Sequence, residues 1–454
     1  MTLEIRVGDC RKLLREMPDD SVHCVVTSPP YYGLRDYGTG TWEGGDPACD
    51  HKQEAPRFNG PKQTTAQVSG HASAAERNGR KRCACGAVRI DQQIGLEPTL
   101  AEFIATMVEV FEEVRRVLRP DGTLWLNLGD SYNAYNGNRG PAAGANKNHH
   151  DIMPAVRGGF GLTEKTFKPK DMMGVPWRVA FALQEAGWYL RSDIPWVKRS
   201  AMPESVTDRP AKALEYVFLL TRGPRYFFDM EAVRRAGVCS HSASTFRGGC
   251  YVGGNIDNGT TGKRNGVPET PNNGVRNFRN ADLWFQSVAE PRGLSGIDDE
   301  LIGLDVTAEG FAEAHFATFP CRLVEPLIKA GTSAKGCCMD CGKPWVRVVE
   351  RTAMQVDRSE RTHELGRTRA SGTMTAPPTS KTTGWQQACT CFTGSPVPCT
   401  VLDPFAGAGT TLLVARRLGC RAIGLELNED YAEMARRRIK EDAPLFNTNA
   451  ELFA

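Results

Sequence analysis

The sequence predicts an α/β fold with one doubly wound, mostly parallel sheet to which both ends of the chain contribute. Near the N-terminus, apolar segments at Leu3–Val7 and Val22–Thr27 have the pattern of strands, and residues 10–17 between them have the pattern of a helix. The C-terminal part repeats this alternation of strands and helices over residues 401–402, 410–418, 422–425 and 429–439. Parallel strands joined by helical crossovers produce such an alternation.

The middle of the chain adds a further crossover and an antiparallel pair. Apolar periodicity predicts helices over residues 97–118, 176–187 and 320–330, and strands over residues 123–128, 188–197 and 215–220. Pro120 and Gly122 are expected to end the first of these helices, because proline cannot continue the backbone hydrogen-bond pattern. The last two strands predict an antiparallel hairpin that closes the sheet.

Composition places few limits on partners. The 454 residues, of which 40% are hydrophobic, suffice for one large core with insertions. The formal net charge of +3 neither supports nor excludes a nucleic-acid partner. The first nine residues lack a signal pattern and no apolar run approaches the roughly 20 residues of a membrane span, so we expect an intracellular protein without a membrane partner.

Fifteen cysteines in an intracellular chain argue for metal sites where they cluster. The pairs Cys338-x-x-Cys341 and Cys389-x-Cys391 predict a four-thiolate structural zinc site, although Cys337 could replace Cys338. A second candidate zinc site with less usual spacing consists of Cys49, His51, Cys83 and Cys85. The scattered cysteines are expected to be buried core thiols, and these are Cys10, Cys24, Cys321 and Cys420.

A glycine loop near the C-terminus indicates a nucleotide-like cofactor. Residues 401–411 form a strand, a turn containing Gly407 and Gly409, and the start of a helix, so a ligand could approach the main chain closely. Glu426 ends the next strand, where a carboxylate can bind both hydroxyls of a ribose. A nicotinamide cofactor is disfavoured because the loop lacks the full Gly-x-Gly-x-x-Gly pattern.

The segment Ser28-Pro29-Pro30-Tyr31 follows the predicted strand Val22–Thr27. Two prolines hold the backbone extended and donate no hydrogen bonds, so carbonyl groups can face a pocket as acceptors. An exocyclic amino group that donates to Ser28 and to the Pro29 carbonyl would become a better nucleophile. Tyr31 offers a flat face for an extruded base, whereas the alternative is a surface turn followed by a core tyrosine.

These two segments, Ser-Pro-Pro-Tyr at 28–31 and Asp-Pro-Phe-x-Gly-x-Gly-Thr-Thr at 403–411, resemble motifs IV and I of the beta-class DNA amino-methyltransferases. This family occurs in bacterial restriction-modification systems and in bacteriophages, and the order of the two motifs is itself characteristic of the class. Further stretches with a similar pattern are residues 7–10, 196–198, 202–205, 208–210 and 315–320.

The resemblance implies a Rossmann-like methyltransferase sheet and an S-adenosylmethionine-dependent enzyme that flips a base out of double-stranded DNA. Its catalytic residues would be Ser28, Pro29, Pro30 and Tyr31. The cofactor would be contacted at its adenine by Asp9, at its ribose by Glu426 and at its methionine end by Asp403, Phe405 and Gly407. The other predicted cofactor contacts are Pro404, Gly409, Thr410 and, on the opposite pocket wall, Phe319 and Pro320.

The target base is less defined. Ser28 preceded by Val-Thr resembles the cytosine-N4 subgroup, and adenine N6 is the alternative because serine and aspartate both accept a hydrogen bond. Methylation of RNA or of a protein glutamine is disfavoured by the motif order, and a third hypothesis is a zinc-bearing DNA-binding protein without catalysis. A homodimer and a cognate restriction endonuclease are conceivable partners in a bacterial cytoplasm or in a phage-infected cell.

The motifs divide the chain into a sheet and its insertions. Residues 1–35 and 96–235 would form the catalytic half, residues 400–445 the cofactor-binding half, and residues 315–335 a helix of the cofactor pocket. The insertions would be residues 36–95 with the second zinc site, the loop-rich residues 236–314 for target recognition, and the zinc knuckle at 336–399. Candidate DNA contacts in or near the recognition region are Arg247, Arg264, Arg276, Arg279 and Trp284.

Overall fold

A computed structural model gives the fold of most of the predicted sheet. It describes residues 2–33, 39–49, 83, 85–133, 166–198, 208–210, 212, 214–236, 275–276, 320–352, 355–357, 373–376, 379–391 and 394–442. The strands are β1 (Leu3–Val7), β2 (Val22–Thr27), β3 (Thr41–Glu43), β4 (Val88–Ile90), β5 (Leu118–Leu128), β6 (Tyr189–Val197), β7 (Leu214–Thr221), β8 (Arg235–Ala236), β9 (Val275–Arg276), β10 (Val346–Arg351), β11 (Gln355–Asp357), β12 (Thr373–Ala376), β13 (Ser380–Gln386), β14 (Thr400–Asp403) and β15 (Arg421–Glu426).

Within these ranges the α-helices are α1 (Cys10–Arg15), α2 (Leu100–Val117), α3 (Val175–Glu185), α4 (Cys321–Gly331), α5 (Thr410–Arg417) and α6 (Glu429–Asp442). A short 3-10 helix covers Met230–Val233. Helix α2 shows how the sequence sets a boundary, because the Thr99 hydroxyl accepts from the Glu102 amide while the Glu102 carboxylate accepts from the Thr99 amide. Among the described residues, none of the helices combines the length and the apolar character needed to cross a membrane.

The main sheet has seven strands in the order β1-β15-β14-β2-β5-β7-β6. The first five strands run parallel, while β7 is antiparallel to both β5 and β6. The predicted α/β class, the doubly wound sheet and the antiparallel hairpin are therefore confirmed. Strand β14, near the C-terminus, pairs directly with β2, near the N-terminus, with Val401 opposite Cys24.

Helices cover both faces of this sheet. On one face, apolar side chains of α4, α5 and α6 pack on the strands, with Leu327, Leu412 and Ala435 buried among them. On the other face α1, α2 and α3 do the same through residues such as Leu14 and Phe103. Such two-sided coverage buries the central strands completely, so β2 is a continuous run of buried residues.

One boundary differs from the sequence prediction. Strand β5 begins at Leu118, so Pro120 and Gly122 lie inside it and do not merely precede it. The register between β2 and β5 shifts here, since Val22 lies opposite Leu118 but Cys24 lies opposite Thr123. Pro120 falls between these two pairs, where its missing N–H group interrupts no regular ladder bond.

The insertion at 336–399 contains more regular structure than the sequence indicated. Strands β10 and β13 pair antiparallel, and β13 begins within residues 351–383, which are poor in apolar residues and have a composition typical of loops. All side chains of β10 are half-buried or exposed, and apolar and polar residues alternate only over positions 346–348, which is too short a pattern to predict a strand. An ion pair fixes the hairpin to the core, because Arg347 Nε lies 2.8 Å from Oδ2 of the buried Asp229.

Candidate active site

The two sequence motifs meet at one edge of the sheet. Because β14 and β2 are parallel neighbours, the glycine loop after Asp403 and the Ser-Pro-Pro-Tyr segment after Thr27 emerge side by side. Thr27 Oγ1 donates to Asp403 Oδ1 at 2.6 Å, and the Phe405 amide donates to the same oxygen at 3.1 Å. Burial raises the pKa of Asp403 to about 6, although these hydrogen bonds favour its ionised form.

The glycine loop has the backbone that its glycines predict. Gly407 and Gly409 adopt φ angles of +49° and +74°, in the left-handed region. A side chain at Gly409 would also collide, because its Cβ would lie 2.8 Å from the Cβ of Ala435. At Gly407 a Cβ would meet no described atom within 4 Å. The loop therefore presents open space in front of its main chain at Gly407.

Two carboxylates flank this loop at the ends of β15 and β1. Glu426 accepts from the Gly407 amide at 2.7 Å and from the Asn428 amide at 2.9 Å, while burial raises its pKa. Asp9 caps helix α1 and binds Arg11 through both oxygens. Burial opposes its ionisation, but the hydrogen bonds and charge of Arg11 hold the pKa of Asp9 below its ordinary value.

Other predicted cofactor residues have contacts inside the protein. Thr410 Oγ1 accepts from Arg438 at 2.8 Å, and the neighbouring Thr411 hydroxyl donates to the Val26 carbonyl at 3.2 Å. Pro404 is buried, and Phe405 packs on the face covered by α1, α2 and α3. Pro320 is the buried N-cap residue of α4, whereas Phe319 lies outside the described residues.

The Ser-Pro-Pro-Tyr segment is held by a polar network. Tyr31 donates its hydroxyl to Glu215 Oε2 at 2.8 Å and accepts from Asn127 Nδ2 at 2.7 Å. The same Asn127 nitrogen lies 3.2 Å from Ser28 Oγ, and Lys198 forms an ion pair with Glu215. Pro29 is buried and Pro30 is half-buried, so the segment is fixed between strands β2, β5 and β7.

Sequence reasoning missed Asn127 and Glu215. Asn127 is a single polar residue in an otherwise apolar strand, and Glu215 lies at the start of another. Only 1% of Asn127 is exposed, and its Oδ1 has no hydrogen-bond partner within the described part of the chain. A buried acceptor of this kind is costly unless a ligand satisfies it. The presence of a polar residue among the apolar residues of strand β5 was the sequence signal that could have identified Asn127.

Gly129 follows β5 and leaves room for the tyrosine ring. A Cβ at Gly129 would lie 2.5 Å from Cε2 and 2.9 Å from Cδ2 of Tyr31. Any larger residue would therefore push the ring from its position. The ring is fixed by this close packing on one side and by its hydroxyl contacts at the tip.

The four predicted zinc thiols lie together. The Sγ atoms of Cys338, Cys341, Cys389 and Cys391 are all within 4.8 Å of one another. Cys337 does not belong to this group, because it lies beside His23 and Cys399 in a separate buried cluster. Of the second candidate site, Cys49, Cys83 and Cys85 are grouped within the same limit, while His51 lies outside the described residues.

The remaining predictions have mixed outcomes. The four scattered cysteines are buried as expected, with exposures of at most 9%. Of the residues proposed for DNA contact in the loop-rich region, Arg276 belongs to the short strand β9, which pairs with β8. The other four, Arg247, Arg264, Arg279 and Trp284, lie outside the described part of the structure.

The chain matches the family of N6 and N4 DNA methylases over residues 22–341 and 395–437. It is 32% identical to the type II methyltransferase M.Cfr9I of Citrobacter freundii, an alignment that covers 95% of this chain and 86% of the relative. It is 31% identical to the type II methyltransferase M.XycI of Xanthomonas campestris pv. cyanopsidis, with the same two coverages.

Among solved structures, the cytosine-N4-specific PvuII DNA methyltransferase aligns with 99% of this chain and 89% of its own. The TM-score of that alignment is 0.43 at 14% identity. The family resemblance predicted from the two motifs is confirmed by the family match and by relatives that align over nearly the whole chain. The chain belongs to the N6/N4 DNA methylase family.

Proposed function

We propose that this protein transfers the methyl group of S-adenosylmethionine to the exocyclic N4 of a cytosine in duplex DNA. The observation that carries the proposal is the juxtaposition of the glycine loop and the Ser-Pro-Pro-Tyr segment at the ends of two paired strands. The Thr27–Asp403 hydrogen bond joins them directly. A methyl donor at one loop would thus lie beside an amino group held at the other.

The residues at the glycine loop fit the proposed cofactor. The space in front of Gly407 allows a ligand to approach the main chain. Glu426 uses one lone pair of each oxygen for the amides of Gly407 and Asn428, which leaves acceptor capacity for ribose hydroxyls. Asp9, on the adjacent strand end, would lie toward the adenine. When bound, the cofactor supplies a sulfonium methyl group, which is already activated for transfer.

The chain's own residues would orient the acceptor nitrogen. Ser28 Oγ and the Pro29 carbonyl would accept the two amino hydrogens and so draw the nitrogen lone pair out of conjugation with the ring. The nitrogen would then bond to the sulfonium methyl carbon that the cofactor supplies, with release of a neutral thioether, and the methylated, positively charged amino group would lose one proton to solvent water. Because the leaving group is neutral after transfer, neither a strong base nor a catalytic metal is required.

Asn127 and Glu215 would act as positioning residues for this step. They fix the tip of the Tyr31 ring, on whose face the flipped base would stack. The unsatisfied Asn127 Oδ1 is a further acceptor in the same network. The preference for cytosine over adenine rests on Ser28, the residue typical of the cytosine-N4 subgroup.

The second cofactor that we propose is a structural zinc ion bound by Cys338, Cys341, Cys389 and Cys391. Four thiols grouped within 4.8 Å have the ligand type and number of a closed structural site. A closed site has no open coordination position for a substrate. The ion would therefore stabilise the fold and take no part in methyl transfer.

Mass spectrometry of nucleosides tests the proposed activity. DNA of diverse sequence is incubated with the protein and S-adenosylmethionine, digested and analysed. We expect N4-methylcytosine, which must be absent when Ser28→Ala protein is used. N6-methyladenine in its place would correct the target base, and the absence of both products would refute the proposal.

The cofactor cradle predicts the effect of Gly407→Ala. The substitution places a methyl group in the open space and strains a left-handed backbone, so we expect the dissociation constant for S-adenosylmethionine to rise at least tenfold, equivalent to about 1.4 kcal/mol. Gly44→Ala is the matched control, because Gly44 has a φ of +72° and equally open surroundings on an insertion. Calorimetry should show normal binding for Gly44→Ala. Equal affinities of the two variants would contradict the proposed cradle.

The network around Tyr31 predicts that its hydroxyl contributes to catalysis. Tyr31→Phe keeps the flat ring but removes one hydrogen-bond partner from the buried Asn127 and one from the half-buried Glu215, at a cost of about 1–3 kcal/mol. We expect kcat to fall about tenfold or more, with little change in KM for S-adenosylmethionine. Tyr189→Phe, at an exposed position of β6, controls for loss of a hydroxyl. If Tyr31→Phe retains the wild-type kcat, the hydrogen bonds of the Tyr31 hydroxyl do not contribute to catalysis.

A further inference from the structure

The four-thiol cluster is connected to the end of the catalytic strand that lies opposite Ser28. We infer that zinc bound by Cys338, Cys341, Cys389 and Cys391 braces the amino ends of strands β2 and β14. His23 connects the metal-binding turn to these strand ends. The inference rests on the proposed zinc site but not on the proposed methyl transfer. It assigns the metal a defined place in the architecture of the catalytic sheet.

The metal-binding turn is compact and held by its own hydrogen bonds. Tetrahedral zinc with Zn–S bonds of about 2.3 Å requires sulfur atoms about 3.8 Å apart, which agrees with the 4.8 Å limit that encloses the four thiols. The Gly342 amide donates to the Cys338 carbonyl at 2.9 Å, and Gly342 has a φ of +70°. Gln387 Nε2 lies 3.0 Å from Cys389 Sγ and 2.7 Å from the Cys391 carbonyl. The cluster is thus built as a compact turn with a supporting donor.

This turn contacts the sheet through two backbone carbonyls. The Gly342 carbonyl accepts from His23 Nε2 at 2.8 Å, and His23 belongs to β2. The Cys341 carbonyl accepts from Arg119 Nη1 at 2.7 Å, and Arg119 belongs to β5. Both carbonyls are in the turn that begins at Cys338, so their positions depend on how its thiols are held.

His23 contacts both the metal-binding turn and strand β14. The Thr400 amide donates to His23 Nδ1 at 3.0 Å, so Nδ1 is unprotonated and Nε2 carries the hydrogen that reaches Gly342. Both ring nitrogens are therefore engaged, and His23 is not a ligand despite lying near Cys337 and Cys399. The neutral imidazole links the metal-binding turn to the first residue of β14.

Loss of the metal should therefore loosen the amino ends of strands β2 and β14. The β10–β13 hairpin separates the two segments that carry the cysteine pairs. The metal would connect these segments through their four thiolates. Without it the turn at Cys341 and Gly342 loses its fixed shape, and the His23 ring loses one of its two anchors. Thr400, whose amide is held by that ring, is then the first backbone group expected to loosen.

Metal analysis of the full-length protein tests the site. Elemental analysis should give at least one zinc per chain, and Cys389→Ser/Cys391→Ser should lower the zinc content by one equivalent. Cys83→Ser/Cys85→Ser is the matched control, because it removes two thiols of the other cluster, and it must retain that equivalent. Cobalt substitution of the wild-type protein should show the intense charge-transfer absorption of four thiolates. Absence of zinc and of this absorption would overturn the inference.

Hydrogen exchange tests the brace, with neither DNA nor S-adenosylmethionine present. In peptides that cover residues 398–403, removal of zinc by a chelator should accelerate exchange of the Thr400 amide about tenfold, since its opening becomes easier. His23→Gln in zinc-loaded protein should cause the same acceleration while retaining zinc, and Arg119→Met should release zinc faster than wild type. If the exchange rate of the Thr400 amide does not change when zinc is removed from the wild-type protein, the brace is refuted, even though the protein binds zinc.

Discussion

The hydrogen bond from Thr27 to Asp403 is the contact on which the rest of the site depends. It joins residues from opposite ends of the chain at the point where two parallel strands release their loops. One loop continues into the Ser-Pro-Pro-Tyr segment that we propose to be catalytic, and the other continues into the glycine loop that we propose to bind the cofactor. Because side chains alternate across a strand, a register shift of one residue would turn Thr27 away from Asp403 and separate the two halves.

The same pair of strands is fixed at its other end by His23 and Thr400. Side-chain contacts thus close the β2–β14 pair at both termini, while apolar helices cover it on both faces. The insertion at 336–399 is attached at the amino end of these strands, and the site that we propose for methyl transfer lies at the carboxyl end. This division allows a metal to stabilise the sheet without entering the reaction.

Local pattern was sufficient to predict most of the fold. The alternation of apolar strands and helices predicted every strand of the main sheet, and the positions of Glu426 and Ser28 followed from the strand ends. Asn127 and Glu215 were missed because a polar residue in each strand does not by itself show that β5 pairs with β7, and this pairing brings both side chains to Tyr31. Cys338 could not be separated from Cys337 by spacing, because the choice depends on distant neighbours of each thiol. The β10–β13 hairpin was missed because neither strand has a buried residue and their apolar periodicity extends over only a few positions.

A double-mutant cycle on cofactor binding tests the central claim that the two halves form one site. Dissociation constants for S-adenosylmethionine would be measured by calorimetry for Thr27→Val, Asp403→Ala and the double variant, with folding checked by circular dichroism. The account predicts that each substitution weakens binding and that the double variant binds no more weakly than Asp403→Ala, a coupling of about 0.5–3 kcal/mol. Effects that simply multiply would show that the two halves act independently and would contradict the account.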